Sequence, residues 1–339
     1  MNRMMLAVTM GDPTGVGPEI VLKAFAAHPW RVNTRYRLVH IGDPEVYAHT
    51  ARHLGMKMPM QVFSSVEESL EWPVESFGIL PTTARVEMDD FAFGHPQARH
   101  AAAVVESIET ASRLAREGRV AAMVTPPLHK ASIHAAGFDF PGHTELLARF
   151  LGVDHPVMML SGNGLRVVPT TIHQSLASVS GSLTREGLRE VIRITLDALR
   201  LDFDIARPRV VVAGLNPHAG EGGAFGREEI DIIAPVCREF ADTHQVRGPL
   251  PPDTLFHARA REGYDAVICM YHDQALIPLK MLAFGNSINI TLNLPIVRTS
   301  VDHGTAHDIA GQNIADPGSY VSALMTAEGI ARNRAAHRG

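Results

Sequence analysis

At 339 residues the chain is longer than one compact core usually fills, so two domains are expected. A hydrophobic share of 45%, a charged share of 20% and a formal net charge of −5 exclude a disordered chain and a surface built to grip nucleic acid. The two cysteines, Cys237 and Cys269, exclude a disulfide scaffold and a thiolate metal motif, and with apolar runs too short to span a bilayer and no signal sequence after Met1, a cytoplasmic protein without a membrane partner is expected.

The elements alternate as in an α/β fold. Met4–Met10 reads as a strand, and the turn Thr9-Met-Gly-Asp-Pro-Thr-Gly-Val-Gly-Pro-Glu19 leads from it into a helix. That turn is a place where an anion can meet a helix N-terminus, yet it lacks the Lys of a Walker loop and the third glycine of a dinucleotide fingerprint; a structural turn explains its glycines almost as well. Arg37–Ile41 is the next strand. His95–Glu117 is expected to be helical, with Val104, Ile108, Ala111 and Ala115 on one stripe and Gly118 as the stop. Ala121–Thr125 is a strand, and Gly142-His-Thr-Glu145 opens an amphipathic segment. Val157–Leu160 and Leu165–Thr170, joined by Gly162-Asn-Gly164, read as a hairpin, which makes the sheet mixed. A second helix begins at Thr184 as N-cap and turns Leu188, Val191, Ile192, Thr195 and Leu199 inward. Arg209–Ala213 and Asp265–Tyr271 complete the strands, and Arg332–Gly339 is expected to be a loose tail.

Three of the eighteen histidines, His173, His218 and His272, each follow an apolar run. Ligands of open α/β sheets lie beyond the carboxyl ends of the strands, so these imidazoles are candidates to converge on a divalent cation, with ordinary loop histidines as the alternative. His218 sits in the glycine-rich stretch Leu215–Gly226 with Glu221, and His272 opens Tyr271-His-Asp-Gln-Ala-Leu-Ile-Pro-Leu-Lys280, where Asp273 is placed either to orient an imidazole or to cap a helix. Arg298, after Asn289-Ile-Thr-Leu-Asn-Leu-Pro-Ile-Val, suits bidentate contact with phosphate or carboxylate, although a lone Arg is more often a surface ion pair. Three histidines and a carboxylate also suit a metal-dependent hydrolase, which residue chemistry alone leaves open.

The blocks MGDPTGVGPEI, FPGHTELLA, GLNPHAGEGG with FG, YHDQALIPLK and NITLNLPIVRTSVDHGTA, in this order, resemble the 4-hydroxythreonine-4-phosphate dehydrogenase family of vitamin B6 biosynthesis from Met10 to about Ser319. The resemblance implies two α/β domains flanking a cleft, isocitrate/isopropylmalate dehydrogenase-like with a mixed sheet; the first domain is expected at 1–130 plus 305–339 and the second at 131–304. It places the metal ligands at His173, His218 and His272, substrate contacts at His143, Thr144, Lys280, Asn289 and Arg298, and proton chemistry at His143, Lys280 and Asp273. It also implies NAD or NADP, one divalent metal per site (Zn, Mg or Co), a small phosphorylated substrate, and a homodimer in which His173 and His218 of one subunit meet the partner's His272. The implied reaction oxidises 4-phosphooxy-L-threonine to a β-keto acid that decarboxylates. Relatives on the same fold that oxidise four-carbon sugar-acid phosphates or aromatic cis-dihydrodiols are the alternatives. Thr125-Pro-Pro-Leu-His-Lys130 departs from the family's pattern, and Asn293 stands where glycine is common.

Overall fold

The structure, a computed structural model, describes residues 4–27, 36–72, 76–138 and 142–338. Met1, Gly339 and the first two residues of the FPGHTELLA block lie outside them. The chain divides into two compact units, 1–156 with 294–331, and 157–293 with 332–339. These limits differ from the sequence expectation of 130 and 305. The helix His143–Leu151 packs against the helix Ala101–Arg116, and the strand Arg298–Val301 pairs with Ala122–Thr125, which assigns both segments to the first unit.

In the first unit β1 (Met4–Thr9), β2 (Tyr36–Gly42), β3 (Met60–Val62), β4 (Phe77–Pro81), β5 (Ala122–Thr125) and β12 (Arg298–Val301) lie in the order β3-β4-β2-β1-β5-β12, and every pairing is parallel. β2 and β5 flank β1 on opposite sides, so the strand order reverses there and opens a crevice at the carboxyl ends of β1 and β5. The expected helix at His95 starts later, as a 3-10 turn at Ala98–His100 and then α-helix from Ala101 to Arg116. Pro96 disfavours helical backbone at His95, whose N–H instead closes a turn onto Ala92 O at 3.2 Å, and Gln97 is extended. Val104, Ile108 and Ala111 are buried as the stripe requires, while Ala115 is half-buried.

Within this core His40 is fully buried and stacks on Phe77 with ring centroids 3.8 Å apart, its Nδ1 bonded to Gly78 O at 2.9 Å. Burial pushes the imidazole down to about 4, because charge is poorly solvated there; the bond to Gly78 opposes this only in part. The folded protein thus binds fewer protons than the unfolded chain between pH 6.5 and 4. Stability is whole above pH 6.5 and falls as pH drops toward 4, by about 3 kcal/mol in all for this group. Urea melts across that range should show the decline, and His40→Leu should make it shallower by about 1.4 kcal/mol per pH unit. An unchanged slope in that variant rules out His40 as a source.

In the second unit β6 (Val157–Gly162), β7 (Leu165–Pro169), β8 (Arg209–Ala213), β9 (Gln245–Leu250), β10 (Ala266–Cys269) and β11 (Ile288–Leu292) follow the order β11-β6-β7-β10-β8-β9. β11–β6 and β6–β7 are antiparallel, whereas β7–β10, β10–β8 and β8–β9 are parallel, so the fold is α/β with mixed strand directions. The β6–β7 turn holds Asn163 and Gly164 at φ 46° and 79°, the left-handed pair that a two-residue hairpin requires. Thr184 caps the helix Arg185–Leu201 by accepting from Gly187 N–H at 3.0 Å, and Leu188, Ile192, Thr195 and Leu199 are buried. The expected loose tail is instead helical to Ala336, as the end of Gly318–Ala336. Arg334 holds it there through a bidentate pair with the buried Asp202 at 2.5 and 3.0 Å. Among the described residues no helix is long and apolar enough to cross a membrane.

Candidate active site

Two clusters carry the predicted residues, one in each unit. In the first, Gly142 caps the helix His143–Leu151 without a side chain, and a Cβ there would lie 3.1 to 3.3 Å from Glu145 Oε2 and Lys130 Cε and Nζ. His143 as a residue is half-exposed, yet its Nε2 is buried with no hydrogen-bond partner. Its imidazole is held well below the ordinary range by burial first, then by the Arg298 and Lys130 cations. Arg298 opens β12, is buried, and donates from Nε and Nη2 to Thr125 Oγ1 at 3.2 and 2.7 Å. Burial lowers its guanidinium to about 10, with Glu145 opposing, so it stays charged at neutral pH. The result is a neutral imidazole and two cations at the start of a helix, a setting suited to an anionic ligand. Thr144 is the second residue of that helix.

The second cluster sits beyond the parallel strands β7, β10 and β8. Thr170 and Thr171 N–H donate to Cys269 O and Met270 O at 2.7 and 3.3 Å, and this lays the exit of β7 along that of β10. His173 and His272 come together there with ring centroids 5.8 Å apart, in a pocket of about 230 Å³ also lined by Thr171, Tyr271 and Asp273. Asp273 Oδ1 accepts from His272 Nδ1–H at 2.7 Å, which leaves Nε2 as the lone-pair nitrogen. Tyr271, rather than Asp273, occupies the N-cap position of the helix His272–Ala283. His218 follows β8 on an exposed turn, and among the described residues no three His, Cys, Asp or Glu side chains gather closely enough to hold a metal ion. Lys280 lies near the end of the His272–Ala283 helix and Asn289 in β11, its Oδ1 buried without a partner.

The turn carrying His218 has an uncommon backbone. His218, Ala219, Gly220, Glu221 and Gly222 are all left-handed, with φ from 44° to 82°. For the three non-glycine residues that conformation costs about 1–2 kcal/mol each, so neighbouring groups must impose it.

Sequence reasoning offered the glycine-rich turn after β1 as an anion cradle, but packing accounts for its glycines. A Cβ on Gly11 would lie 2.7 Å from Pro127 O, and one on Gly15 2.9 Å from Thr305 O. Asp12 occupies the turn's donors, accepting from Thr14 N–H and Oγ1–H at 2.9 Å each, while His307 Nε2–H donates to its Oδ2 at 2.8 Å. This Asp12–His307 pair was missed, since residues so far apart in sequence give no local signal.

The family model described as pyridoxal phosphate biosynthetic protein PdxA matches residues 34–327. The 4-hydroxythreonine-4-phosphate dehydrogenase of Maricaulis maris is 49% identical, covering 97% of this chain and 98% of its own. This chain belongs to the PdxA family. A crystal structure of 4-hydroxythreonine-4-phosphate dehydrogenase from Klebsiella pneumoniae superposes on this PdxA chain with a TM-score of 0.87 at 38% identity, covering 98% and 99% of the two chains. A terephthalate 1,2-cis-dihydrodiol dehydrogenase from Burkholderia xenovorans reaches 0.65 at 32% identity, covering 97% and 98%. Two of the departures from the PdxA pattern have local explanations. His129 Nδ1 accepts from Ser132 N–H to cap the helix Lys130–Ala135. Asn293 has φ 62°, a backbone that favours glycine and that Asn tolerates.

Proposed function

We propose that the chain oxidises 4-phosphooxy-L-threonine with NAD or NADP, giving a β-keto acid that loses carbon dioxide, as a step of pyridoxine 5′-phosphate biosynthesis in the cytoplasm. One observation carries the reading: the buried Arg298 and the exposed Lys130 both place positive charge at His143, whose Nε2 is buried and unpartnered, a ready-made seat for a phosphorylated hydroxy acid in a chain 49% identical to a 4-hydroxythreonine-4-phosphate dehydrogenase.

Arg298 binds and orients the anionic end of the substrate, and Thr144, next to His143 in the helix, is a further contact to it. His143, kept neutral, is ready to take or share the hydroxyl proton, with Lys280 as the second candidate for that role. Three imidazoles are a suitable donor set for a divalent cation such as Zn or Co and a poorer one for Mg, which takes oxygen ligands, and Asp273 fixes the His272 tautomer that ligation needs. When bound by His173, His218 and His272, the ion would supply Lewis-acid stabilisation of negative charge on the reacting hydroxyl. The crevice at the carboxyl ends of β1 and β5 is where an open parallel sheet takes a dinucleotide, with no glycine fingerprint required of the turn.

The active unit is proposed as a homodimer with shared sites. The helix headed by His272 exposes Ile277, Met281 and Phe284 at 61%, 83% and 84%, an apolar stripe at one-turn spacing that suits burial against a second copy. The test is reduction of NAD and NADP by purified protein with a panel of 4-phosphooxy-threonine, threonate and erythronate phosphates and a cis-dihydrodiol. Turnover is expected with the first. Preference for a dihydrodiol, or hydrolysis without cofactor reduction, overturns the substrate reading.

A further inference from the structure

Beyond the ligands themselves, we propose that Glu229 is a positioning residue for His218: its buried carboxylate forces the left-handed turn that presents this imidazole to the metal. The inference rests on the proposed role of His218.

Glu229 is 3% exposed and opens a π-helical turn, Glu229–Ile233, a widened helix that carries its side chain under the β8 exit. Its Oε1 accepts from Leu215 and Asn216 N–H at 2.7 and 2.8 Å, and its Oε2 accepts from Asn216 Nδ2–H at 2.9 Å. These bonds gather the donors just before His218 onto one carboxylate. The left-handed run then begins at once, and its third residue touches the same group: a Cβ on Gly220 would lie 2.6 Å from Glu229 Oε2. Asn216 is held from a second side by Glu228 at 2.7 Å, and Glu228 is itself bonded to Ser180.

The clamp is joined to the other two histidine segments. Gln274 is buried, accepts from Met270 N–H at 2.6 Å and donates to Gly214 O at 2.8 Å, while Thr171 Oγ1–H donates to Met270 O at 2.8 Å. A line of hydrogen bonds therefore runs from the His173 segment through Met270, beside His272, to Gly214 and on to the Glu229 clamp. A loop whose non-glycine residues disfavour their own conformation needs such anchoring, and loss of the anchor lets it relax away from the ligating geometry.

The experiment measures Co(II) affinity of the metal-free protein by competition with a chromophoric chelator, along with the Co(II) visible spectrum and far-UV circular dichroism, for wild type, His218→Ala, Glu229→Ala, Glu229→Gln and Glu229→Ala/Ala219→Gly. Wild type should bind Co(II) and His218→Ala should lose it. Glu229→Ala should bind about 10- to 100-fold more weakly with native circular dichroism, and Glu229→Gln, which keeps the volume and one acceptor, about tenfold more weakly. Glycine tolerates the left-handed turn, so Ala219→Gly should restore part of the lost affinity; a merely structural role predicts no rescue. If Glu229→Ala does not fold, the glutamine variant decides. Wild-type affinity and spectrum in a folded Glu229 variant, with His218→Ala defective, overturn the positioning role alone. A wild type that binds no Co(II), or a His218→Ala that binds normally, overturns the metal reading together with it.

Discussion

Equal amounts of His218→Ala and His272→Ala chains, each inactive alone, are expected to regain about a quarter of wild-type turnover when unfolded and refolded together. Each single variant lacks one of three ligands in every site, and exhaustive chelation should silence the wild type in the same way. Random pairing makes about half the dimers mixed. If His218 and His272 of one site come from different subunits, one site of each mixed dimer collects both lesions and the other collects none. Half the dimers with half their sites intact leaves about a quarter of the activity. The outcome does not depend on which subunit supplies His173, which matters because His173 and His272 of a single chain lie with ring centroids 5.8 Å apart. No recovery, with mixed dimers demonstrated by differential tags, would rule out the shared site. Near-normal activity of a folded His218→Ala chain would remove the metal role.

Arg298→Ala should raise KM for the phosphorylated substrate roughly tenfold to hundredfold, from the loss of about 1.5–3 kcal/mol in charge-assisted hydrogen bonding. KM for the nicotinamide cofactor should change far less. Because Arg298 is the largest charge contribution keeping His143 low, after burial itself, the variant should also move the acid limb of the pH–rate profile. The sign follows from the imidazole: the wild-type His143 is neutral well below pH 6.5, and without the neighbouring cation its protonation moves up toward 6.5, so the variant loses activity at a higher pH. Arg298→Lys should recover little, since a lysine cannot reproduce the fork that reaches Thr125 Oγ1 from two nitrogens. A thermal melt controls for the buried cation's loss. A cofactor-specific KM change instead would assign Arg298 to the dinucleotide.

Local chemistry made much of this protein legible from its sequence. Asn163-Gly164 specifies a tight hairpin because both residues accept positive φ, Thr184 specifies a helix start because its hydroxyl satisfies a free N–H, and the apolar runs specify buried parallel strands. The five motif blocks specified the family. Signals of this kind lie within a few residues of their effects. Where an effect depended on residues far apart in the chain, tertiary structure decided it. Whether Arg298 is a surface ion pair or a buried cation beside His143 is set by β12 pairing with β5, which is more than 170 residues away in sequence. The domain limits followed the same pairing, and the need for glycine after β1 comes from close packing against Pro127 and Thr305. Glu229 had no sequence signal at all. A carboxylate in an amphipathic segment reads as solvent-facing, and only the fold sets Glu229, at the head of the π-turn, against the backbone donors before His218.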